Sequence, residues 1–299
     1  MPQSSGYLNK FVNAGEISNK GIELQLSATP IKTESGFRWD VGVNFAKNVS
    51  KVNVLDGVLQ TYQINDFGLL RNVILEARVG DPYGNFYGTY YVRDPQGNIV
   101  FSGGKAVVST DRKVLGNVLP KWTGGFSTSF TYKFVSLSTL IDVKSGGSIY
   151  AHSVGIGRYT GVLAETNIGR ETGIVGVGVK NTGSADNPNY IPNDVSLTSE
   201  DYHHTFYART NNEAYLFDGS YVKMREARLS FNIPNKVFGK LPFKNVSFSI
   251  VGRNLLLLYS NVPHIDPETS YYSDGNVQGF ESGQTPSARS YGFNLSFGL

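Results

Sequence analysis

The end of this 299-residue chain alternates strictly between apolar residues and small or polar ones. The apolar positions are Tyr291, Phe293, Leu295, Phe297 and Leu299, and the residues between them are glycine, serine or asparagine. A period of two without a slip predicts a β-strand with one apolar face. Such a face packs against a second layer in a soluble protein or contacts lipid in a membrane barrel. This strand alone does not distinguish the two.

Composition narrows the classes of fold and chemistry. Charged residues make up 17% of the chain and aromatic residues 13%, which favours strands. No run of 18 apolar residues is present, so a membrane-spanning helix is excluded. The absence of cysteine excludes disulfides, a thiolate nucleophile and a cysteine-ligated zinc. The net charge of +3 is too small and dispersed to indicate a nucleic-acid partner, and no cofactor is expected.

Eight further segments alternate in the same way, giving nine predicted strands. They lie at about 22–28, 37–45, 73–79, 86–93, 122–134, 137–143, 218–234 and 246–255. In the segment at 218–234 the apolar phase slips by one residue near Arg225 and Glu226, which predicts a β-bulge. The aromatic pairs Trp122 with Tyr132 and Tyr221 with Phe231 are ten residues apart. A tilted strand of that length rises about 25 Å, the height of a lipid-facing band.

The connections between these strands are of two kinds. Short turns are predicted at 30–36, 134–136 and 234–242, whereas 152–217 and 259–286 are long, polar and aperiodic. We expect the long segments to be functional outer loops or disordered. Short turns on one side and long loops on the other are typical of outer-membrane barrels. Because single-chain bacterial barrels are even-stranded, nine strands predict a part of a larger barrel. The first residues also lack the pattern of a signal peptide.

Several motifs, in order along the chain, resemble the SusC/RagA group of TonB-dependent outer-membrane transporters. They are NAGEISNKGIE at 13–23, GDPYGNFYG at 80–88, LGNVLP at 115–120, WTGG at 122–125, DGSYVKMR at 218–225, GRNL at 252–255, DPE at 266–268 and the terminal strand. The chain departs from the group in ending on Leu299 rather than an aromatic residue, and in lacking the plug, the TonB-contacting segment and the early strands.

The resemblance implies an all-β fold, an antiparallel transmembrane β-barrel of 22 strands in the bacterial outer membrane. Residues 1–299 would be its C-terminal part, with about nine strands. The group imports oligosaccharides or peptides, with a SusD-like surface lipoprotein as a lid and TonB as the source of energy. The partners implied are therefore that lipoprotein, TonB through the missing N-terminal part, outer-membrane lipid, and an oligosaccharide or peptide substrate.

Candidate site residues follow from these expectations. The candidates for ligand contact are aromatic residues of the two long loops, because sugar rings stack on aromatic faces, and the alternative for each is packing within the loop or contact with the lid: Tyr159, Tyr190, Tyr202, Tyr207, Tyr271 and Tyr272. Four basic residues are expected to face the lumen or the plug, and pairing with acidic residues on neighbouring strands is the favoured alternative: Lys223, Arg225, Arg253 and Arg289. The terminal positions Tyr291, Phe293, Leu295, Phe297 and Leu299 are the expected barrel-assembly signal.

No metal site and no catalytic group is predicted. The four histidines, His152, His203, His204 and His264, are interpreted as solvated loop residues. Weaker alternatives are a metal at Asp201, His203 and His204, and calcium at Asp266, Glu268 and Asp274. Two other functions compete with import: a secreted β-sandwich that binds carbohydrate, and an outer-membrane hydrolase. The hydrolase is disfavoured because the histidines lie far from any nucleophile and acid pattern.

Overall fold

The computed structural model describes residues 15–57, 59–66, 73–184, 186–238, 244–272, 275 and 277–298. Within these ranges lie two α-helices, α1 (His152–Tyr159) and α2 (Ser199–Phe206), and three 3-10 helices, Ala164–Asn167, Glu213–Tyr215 and Asn235–Phe238. The strands are β1 (Gly15–Lys32), β2 (Phe37–Leu55), β3 (Thr61–Asp66), β4 (Ile74–Arg78), β5 (Asn85–Gly88), β6 (Val100–Ser102), β7 (Lys105–Ala106), β8 (Lys113–Asn117), β9 (Trp122–Tyr132), β10 (Val135–Ser145), β11 (Ser148–Ala151), β12 (Ile174–Val175), β13 (Val179–Asn181), β14 (Tyr190–Pro192), β15 (Ser196–Leu197), β16 (Leu216–Asp218), β17 (Tyr221–Asn232), β18 (Lys244–Ser260), β19 (Phe280–Glu281) and β20 (Ser290–Gly298). None of the described helices has the length and apolar character needed to cross a membrane.

The long strands form one antiparallel sheet in the order β1-β2-β9-β10-β17-β18-β20. Their register keeps the apolar phase of every strand on the same face. One row of paired residues crosses all seven strands and is apolar throughout: Ile31, Trp39, Phe130, Leu137, Leu229, Ile250 and Phe293. Because a shift of one residue would turn a whole strand over, this pairing fixes the apolar face.

No second layer covers this apolar face in the described part of the chain. Leu137 is 49% exposed, Ile250 is 50% exposed and Phe293 is 80% exposed. The terminal-strand residues Tyr291, Leu295 and Phe297 are exposed beside Phe293, while Leu299 lies outside the described residues. A β-sandwich would bury such a face against a second sheet. The sheet is therefore built like the wall of a membrane barrel, with its apolar side outward.

The large sheet contains seven strands among the described residues, two fewer than the nine predicted. The segments predicted at 73–79 and 86–93 instead contribute β4 and β5 to a separate sheet, β3-β4-β5-β8. They are five and four residues long, whereas a membrane-spanning strand needs about nine to eleven. Leu75 and Phe86 are fully buried, and Glu76 between them is buried as well. Alternation identified these segments as strands but not the sheet to which they belong.

The β-bulge predicted near Arg225 is confirmed. Arg225 has no partner in the register with β10 or with β18, and both pairings shift there. The bulge moves Tyr221 to the face opposite Phe231, where Tyr221 pairs with Lys144 and is only 6% exposed. The prediction that Tyr221 and Phe231 bracket one apolar band is therefore wrong, because the extra residue inverts the alternation between them.

The connections between the seven strands differ at the two ends of the sheet. Short turns join β1 to β2, β9 to β10 and β17 to β18, and residues 239–243 of the last turn lie outside the described residues. Three long connections lie at the other end, at 56–121, 146–220 and 261–289. The sequence predicted two of them, and the third contains the two misassigned strands. This distribution is that of an outer-membrane barrel wall.

The long connections fold together into a unit that we call the cap. Its core takes residues from all three connections: Val73, Leu75, Phe86, Tyr91, Val118, Tyr150, Ala214, Tyr215, Val277 and Phe280. Polar contacts also join them, since the buried carboxylate of Glu281 accepts hydrogen bonds from the backbone N–H of Ser153 at 3.1 Å and from its hydroxyl at 2.7 Å. Glu281 thereby caps the start of α1. The described parts of these connections are thus ordered by tertiary contacts that no local periodicity signals.

The two faces of β18 allow a direct test of the wall. Ile250 and Val251 are adjacent branched residues on the apolar and the polar face, respectively. In the full-length receptor, Ile250→Lys should lower the free energy of unfolding by about 2–4 kcal/mol if the apolar face contacts lipid. Val251→Lys should lower the free energy of unfolding by clearly less. Urea titration in lipid vesicles, followed by the heat-modifiable shift on gels, measures both, and equal costs would contradict an outward apolar face.

Candidate functional site

A cluster of charged residues joins the polar face of the sheet to the cap. This junction cluster consists of Asp142 on β10, Tyr221, Lys223 and Arg225 on β17, and Asp266 and Glu268 in the connection 261–289. The ammonium of Lys223 donates to Asp266 Oδ1, and to Glu268 Oε2 at 2.6 Å. The guanidinium of Arg225 bridges Asp142 Oδ2, at 2.5 Å, and Glu268 Oε2, at 2.6 Å.

The ion pairs of this cluster are largely removed from water. The side chain of Lys223 is 7% exposed and that of Asp266 is 9% exposed. Burial alone would raise the pKa of Asp266, but hydrogen bonds from Lys223 and Ser287 outweigh it and hold the pKa at about 2. Burial is likewise outweighed at Glu268 by Arg225 and Lys223, and the pKa of Glu268 is also lowered to about 2. Both carboxylates are therefore ionised at neutral pH.

The four basic residues predicted to face the lumen have different environments. Lys223 and Arg225 pair with carboxylates, but mostly with those of the cap rather than those of neighbouring strands. Arg253, on the polar face, pairs with Glu226 of β17 at 3.1 Å, as the favoured alternative expected. Arg289 is exposed just before β20 and lines a cavity with Lys223 and Asp266. Whether any of them faces a lumen stays a prediction.

The six predicted ligand tyrosines are not brought together. Tyr271 and Tyr272 pack on each other near the junction cluster, and Tyr190 is paired with Asn181 in a small sheet. Tyr202 and Tyr207 pack against Phe206, and burial raises the pKa of both hydroxyls, that of Tyr202 to about 12. Tyr159 lines a cavity. The geometry therefore gives these tyrosines at least three separate environments.

The cavity that Tyr159 lines lies at the start of α2, and we call it the α2 cavity. It has a volume of about 430 Å³. Its lining includes Tyr159, Arg170, Ser199, Glu200, His203 and His204. The rings of Tyr159 and His204 are stacked with centroids 4.5 Å apart. The site combines an aromatic face, a cation and a helix N-terminus.

The interpretation of the four histidines as solvated loop residues is wrong for His203, which is buried in α2, whereas His264 is an exposed residue of a connection; His152 and His204 are partly buried. His203 is 8% exposed, Nδ1 of His152 lies 3.0 Å from the Ser282 hydroxyl, and Nε2 of His264 lies 3.0 Å from both carboxylate oxygens of Glu165. His204 is stacked on Tyr159. The missed signal is the sequence from Thr198 to Asp201, because Thr198 Oγ1 accepts a hydrogen bond from the Asp201 N–H and so caps α2. A helix predicted there would have placed His203 and His204 in a packed element.

The two metal alternatives gain no support from the described residues. No group of three or more histidine, aspartate or glutamate side chains among them is arranged to hold a metal ion. Asp266 and Glu268 pair with Lys223 and Arg225, while Asp274 lies outside the described residues. Cationic side chains thus lie where a calcium ion would have to bind.

Comparison with known proteins identifies sequence relatives of this chain and solved structures with a similar fold. No protein-family model matches the chain. The TonB-dependent receptor P3 of Formosa agariphila is 27% identical over 99% of the chain, and P26 of the same organism is 28% identical over 99%. The chain spans only about a third of their length, 30% and 31%, respectively. Among solved structures, the RagAB peptide transporter matches with a TM-score of 0.65 and 20% identity, covering 99% of this chain and 31% of that one. The RagAB peptide importer in its 'open-open' state matches with a TM-score of 0.64.

The sequence relatives and the shared fold together define the class of protein. The chain is part of a TonB-dependent receptor. Its fold is shared with part of the RagAB peptide transporter, and the motifs at 80–88, 218–225 and 266–268 resemble those of the SusC/RagA group.

Removal of one carboxylate should loosen the junction cluster. Glu268→Gln in the full-length receptor leaves a buried cation partly uncompensated and should cost roughly 3 kcal/mol of local stability. Protease cleavage within the connection 261–289 should therefore accelerate. Glu200→Gln is the matched control, because Glu200 is exposed and forms no ion pair among the described residues. Equal cleavage rates for the two variants would contradict a structural role for the cluster.

The junction cluster should also respond to acid. The folded pKa values of Asp266 and Glu268 lie near 2, below their ordinary values of 3.8 and 4.5. Such groups contribute stability that is complete above the unfolded pKa and is lost as pH falls toward the folded pKa. We expect the connection 261–289 to stay docked down to about pH 5 and to open between about pH 4 and pH 2. Hydrogen exchange corrected for intrinsic rates measures this, and unchanged protection at pH 2.5 would refute it.

Proposed function

We propose that the receptor containing this chain imports oligosaccharides or peptides across the bacterial outer membrane, with energy from TonB. The observation that carries the proposal is the seven-stranded sheet, with an exposed apolar face on one side and a folded cap at one end. An apolar wall suits lipid, and a cap on its long-loop end suits capture of solutes from outside. The similarity to TonB-dependent receptors and to the RagAB peptide transporter supports the same function.

The remaining barrel strands, the plug and the contact with TonB belong to parts of the receptor outside residues 1–299. In this arrangement the chain contributes a portion of the wall of a 22-stranded barrel and much of its outer surface. Lys223, Arg225, Arg253 and Arg289 face the lumen, and the terminal strand from Tyr291 to Leu299 serves as the assembly signal. A SusD-like lipoprotein closes over the cap.

Substrate contacts are assigned to polar and aromatic side chains of the cap. Of the six predicted tyrosines, Tyr159 and Tyr271 retain the greatest potential for contact, since Tyr159 lines the α2 cavity and Tyr271 is 46% exposed. Tyr202 and Tyr207 are partly buried and stabilise the cap by packing. The competing function, a secreted β-sandwich that binds carbohydrate, is disfavoured because the apolar face of the sheet is exposed rather than covered.

The test uses the source bacterium with the full-length gene deleted or restored. The restored strain should carry the receptor in its outer-membrane fraction and take up a labelled oligosaccharide pool or a labelled peptide pool. A protonophore should abolish that uptake, because import through TonB draws on the inner-membrane proton gradient. The two pools separate the two substrate classes.

One control variant and two contrary outcomes make the test decisive. A receptor with its TonB-contacting segment removed should reach the outer membrane but import nothing, which separates transport from assembly. Recovery of the full-length receptor in the soluble fraction would overturn the proposal. So would equal uptake of both pools by the deletion strain and the restored strain.

A further inference from the structure

The apolar face of the sheet carries three lysines on β1 and β2, at the end nearest the cap. Lys20 lies opposite Val49, and the residues two positions before and after Val49 on β2 are Lys47 and Lys51. Lys20 is therefore a diagonal neighbour of both, at a spacing of about 7–8 Å. All three residues are exposed, and none takes part in an ion pair with a described residue. We call this group the lysine cluster.

Burial shows which face of β2 these lysines occupy. Ser50 and Val52 are buried, whereas Val49 and Lys51, which alternate with them, are exposed. Lys20 shares the face of its partner Val49, because opposite residues of an antiparallel pair point to the same side. The lysine cluster thus projects away from the buried side of β2, on the same side as the apolar residues of the wall.

The lysine cluster begins at the cap-side edge of the band that Trp122 and Tyr132 delimit, a height of about 25 Å. The pairing of β2 with β9 ends at Ala46 and Thr123. The next residues toward the cap are Lys47 and Trp122, which therefore lie at the same level. The other two lysines lie about 5 and 10 Å farther out along the tilted strands. Headgroups occupy a layer about 5–8 Å deep on each side of a bilayer, so all three flexible side chains reach it.

A cavity of about 770 Å³ opens in the wall beside Lys47. It lies where β2 continues to Leu55 after its pairing with β9 has ended. Its lining combines two ammonium groups with apolar side chains: Lys47, Val49, Leu119, Lys121, Trp122 and Phe217. Asp218 is the one acidic residue among the described residues of the lining, and the backbone N–H of Ser220 donates to its carboxylate at 2.8 Å. The cavity therefore suits an amphiphilic molecule with a negative headgroup.

Acidic residues are scarce beside the lysine cluster. The acids of β1 and β2 are Glu16, Glu23 and Asp40, and the last two have the phase of the polar face. Glu16 shares the face of the lysines, and its Oε1 accepts a hydrogen bond from Asn53 at 2.7 Å. Three lysines against one glutamate leave an excess of positive charge on this surface. Lysines at this depth favour anionic headgroups, because a phosphate compensates their charge at the edge of the low-dielectric layer.

We propose that the lysine cluster and the adjoining cavity bind the phosphates of the glycolipid that forms the outer leaflet of the outer membrane. The ammonium groups of Lys20, Lys47 and Lys51 donate to the phosphates, the sugar lies against Trp122, and the acyl chains follow the apolar wall. Lipid bound in this way fixes the depth of the wall in the membrane at the base of the cap. The inference rests on the function proposed above only in placing the cap outside the cell.

The experiment measures lipid binding to the full-length receptor in detergent by native mass spectrometry. The probes are lipid A, an acylated glucosamine disaccharide that carries phosphates, and the same lipid after enzymatic removal of its phosphates. The phosphorylated lipid should bind more tightly, and equal binding of the two lipids would overturn the proposal. Inorganic phosphate at the concentration of the lipid should not displace it, because it lacks the acyl chains. Displacement would show a site for free phosphate and would also overturn the proposal.

Variants assign the preference for phosphate to the lysine cluster. Lys20→Gln and Lys47→Gln should each weaken binding of the phosphorylated lipid about fivefold, the usual effect of one basic residue at a membrane surface, and should spare the dephosphorylated lipid. Lys20→Arg keeps the charge and should restore the affinity. Lys32→Gln is the matched control, since it removes the same charge from an exposed residue at the other end of β1 and should change nothing. Equal effects of Lys20→Gln and Lys32→Gln would refute the site.

A footprint on the receptor without substitutions decides the matter even if a variant does not fold. An amine-acetylating reagent modifies accessible lysines, so the phosphorylated lipid should protect Lys20 and Lys47 more than the dephosphorylated lipid does, with Lys32 equally reactive in both. Protection that does not depend on the phosphates would contradict the site. Import by a receptor with no preference for the phosphorylated lipid would refute this inference alone, whereas phosphate-dependent binding without import would refute only the proposed function.

Discussion

A buried ammonium governs how the cap is attached to the sheet. Lys223 lies near the start of β17, and an unpaired buried charge there would cost several kcal/mol. Its partners, Asp266 and Glu268, come from the connection 261–289, so that connection must cross the polar face of the sheet at this position. The bulge at Arg225 is part of the same arrangement, because it turns Tyr221 and Lys223 to the polar face of the sheet and lets Arg225 bridge Asp142 and Glu268. Once the connection is fixed there, Phe280 packs with Tyr150 in the core of the cap, and Glu281 caps α1. The helix α1 in turn supplies Tyr159 to the α2 cavity.

The molecule combines two environments with opposite requirements. Along the sheet, apolar side chains are exposed on one face and polar side chains lie on the other, an arrangement that suits contact with lipid on the apolar face. In the cap, the apolar residues face inward and the polar ones outward, as in a water-soluble domain. The boundary between the two lies at the junction cluster. Ion pairs are suited to this position because they fix geometry by direction and charge, while apolar contacts alone would allow the cap to slide.

Much of the wall could be predicted from the sequence, and little of the cap could. The terminal strand, the strand at 122–134 and the bulge at Arg225 all follow from a period of two, which is a local property. The segments at 73–79 and 86–93 show the same period, yet they belong to the cap, because length and burial on both faces decide the sheet to which a strand belongs. The candidate site was anticipated only in part. Tyr159 was identified by residue type. Arg170 and His203 were not, because they lie 33 positions apart in sequence and meet only when α2 packs near the segment 160–170.

The sequence by itself determined the long strands of the large sheet, their apolar face, the short turns and, through its motifs, the class of receptor. These properties depend on alternation and on local turn chemistry, which a linear pattern records. The tertiary structure alone decided which strands share a sheet, how the three connections form one core, and which charges are buried together. Those features depend on pairing between residues far apart in sequence, 43 positions for Lys223 with Asp266 and 128 for Ser153 with Glu281, and no local pattern specifies the partner in such a pair.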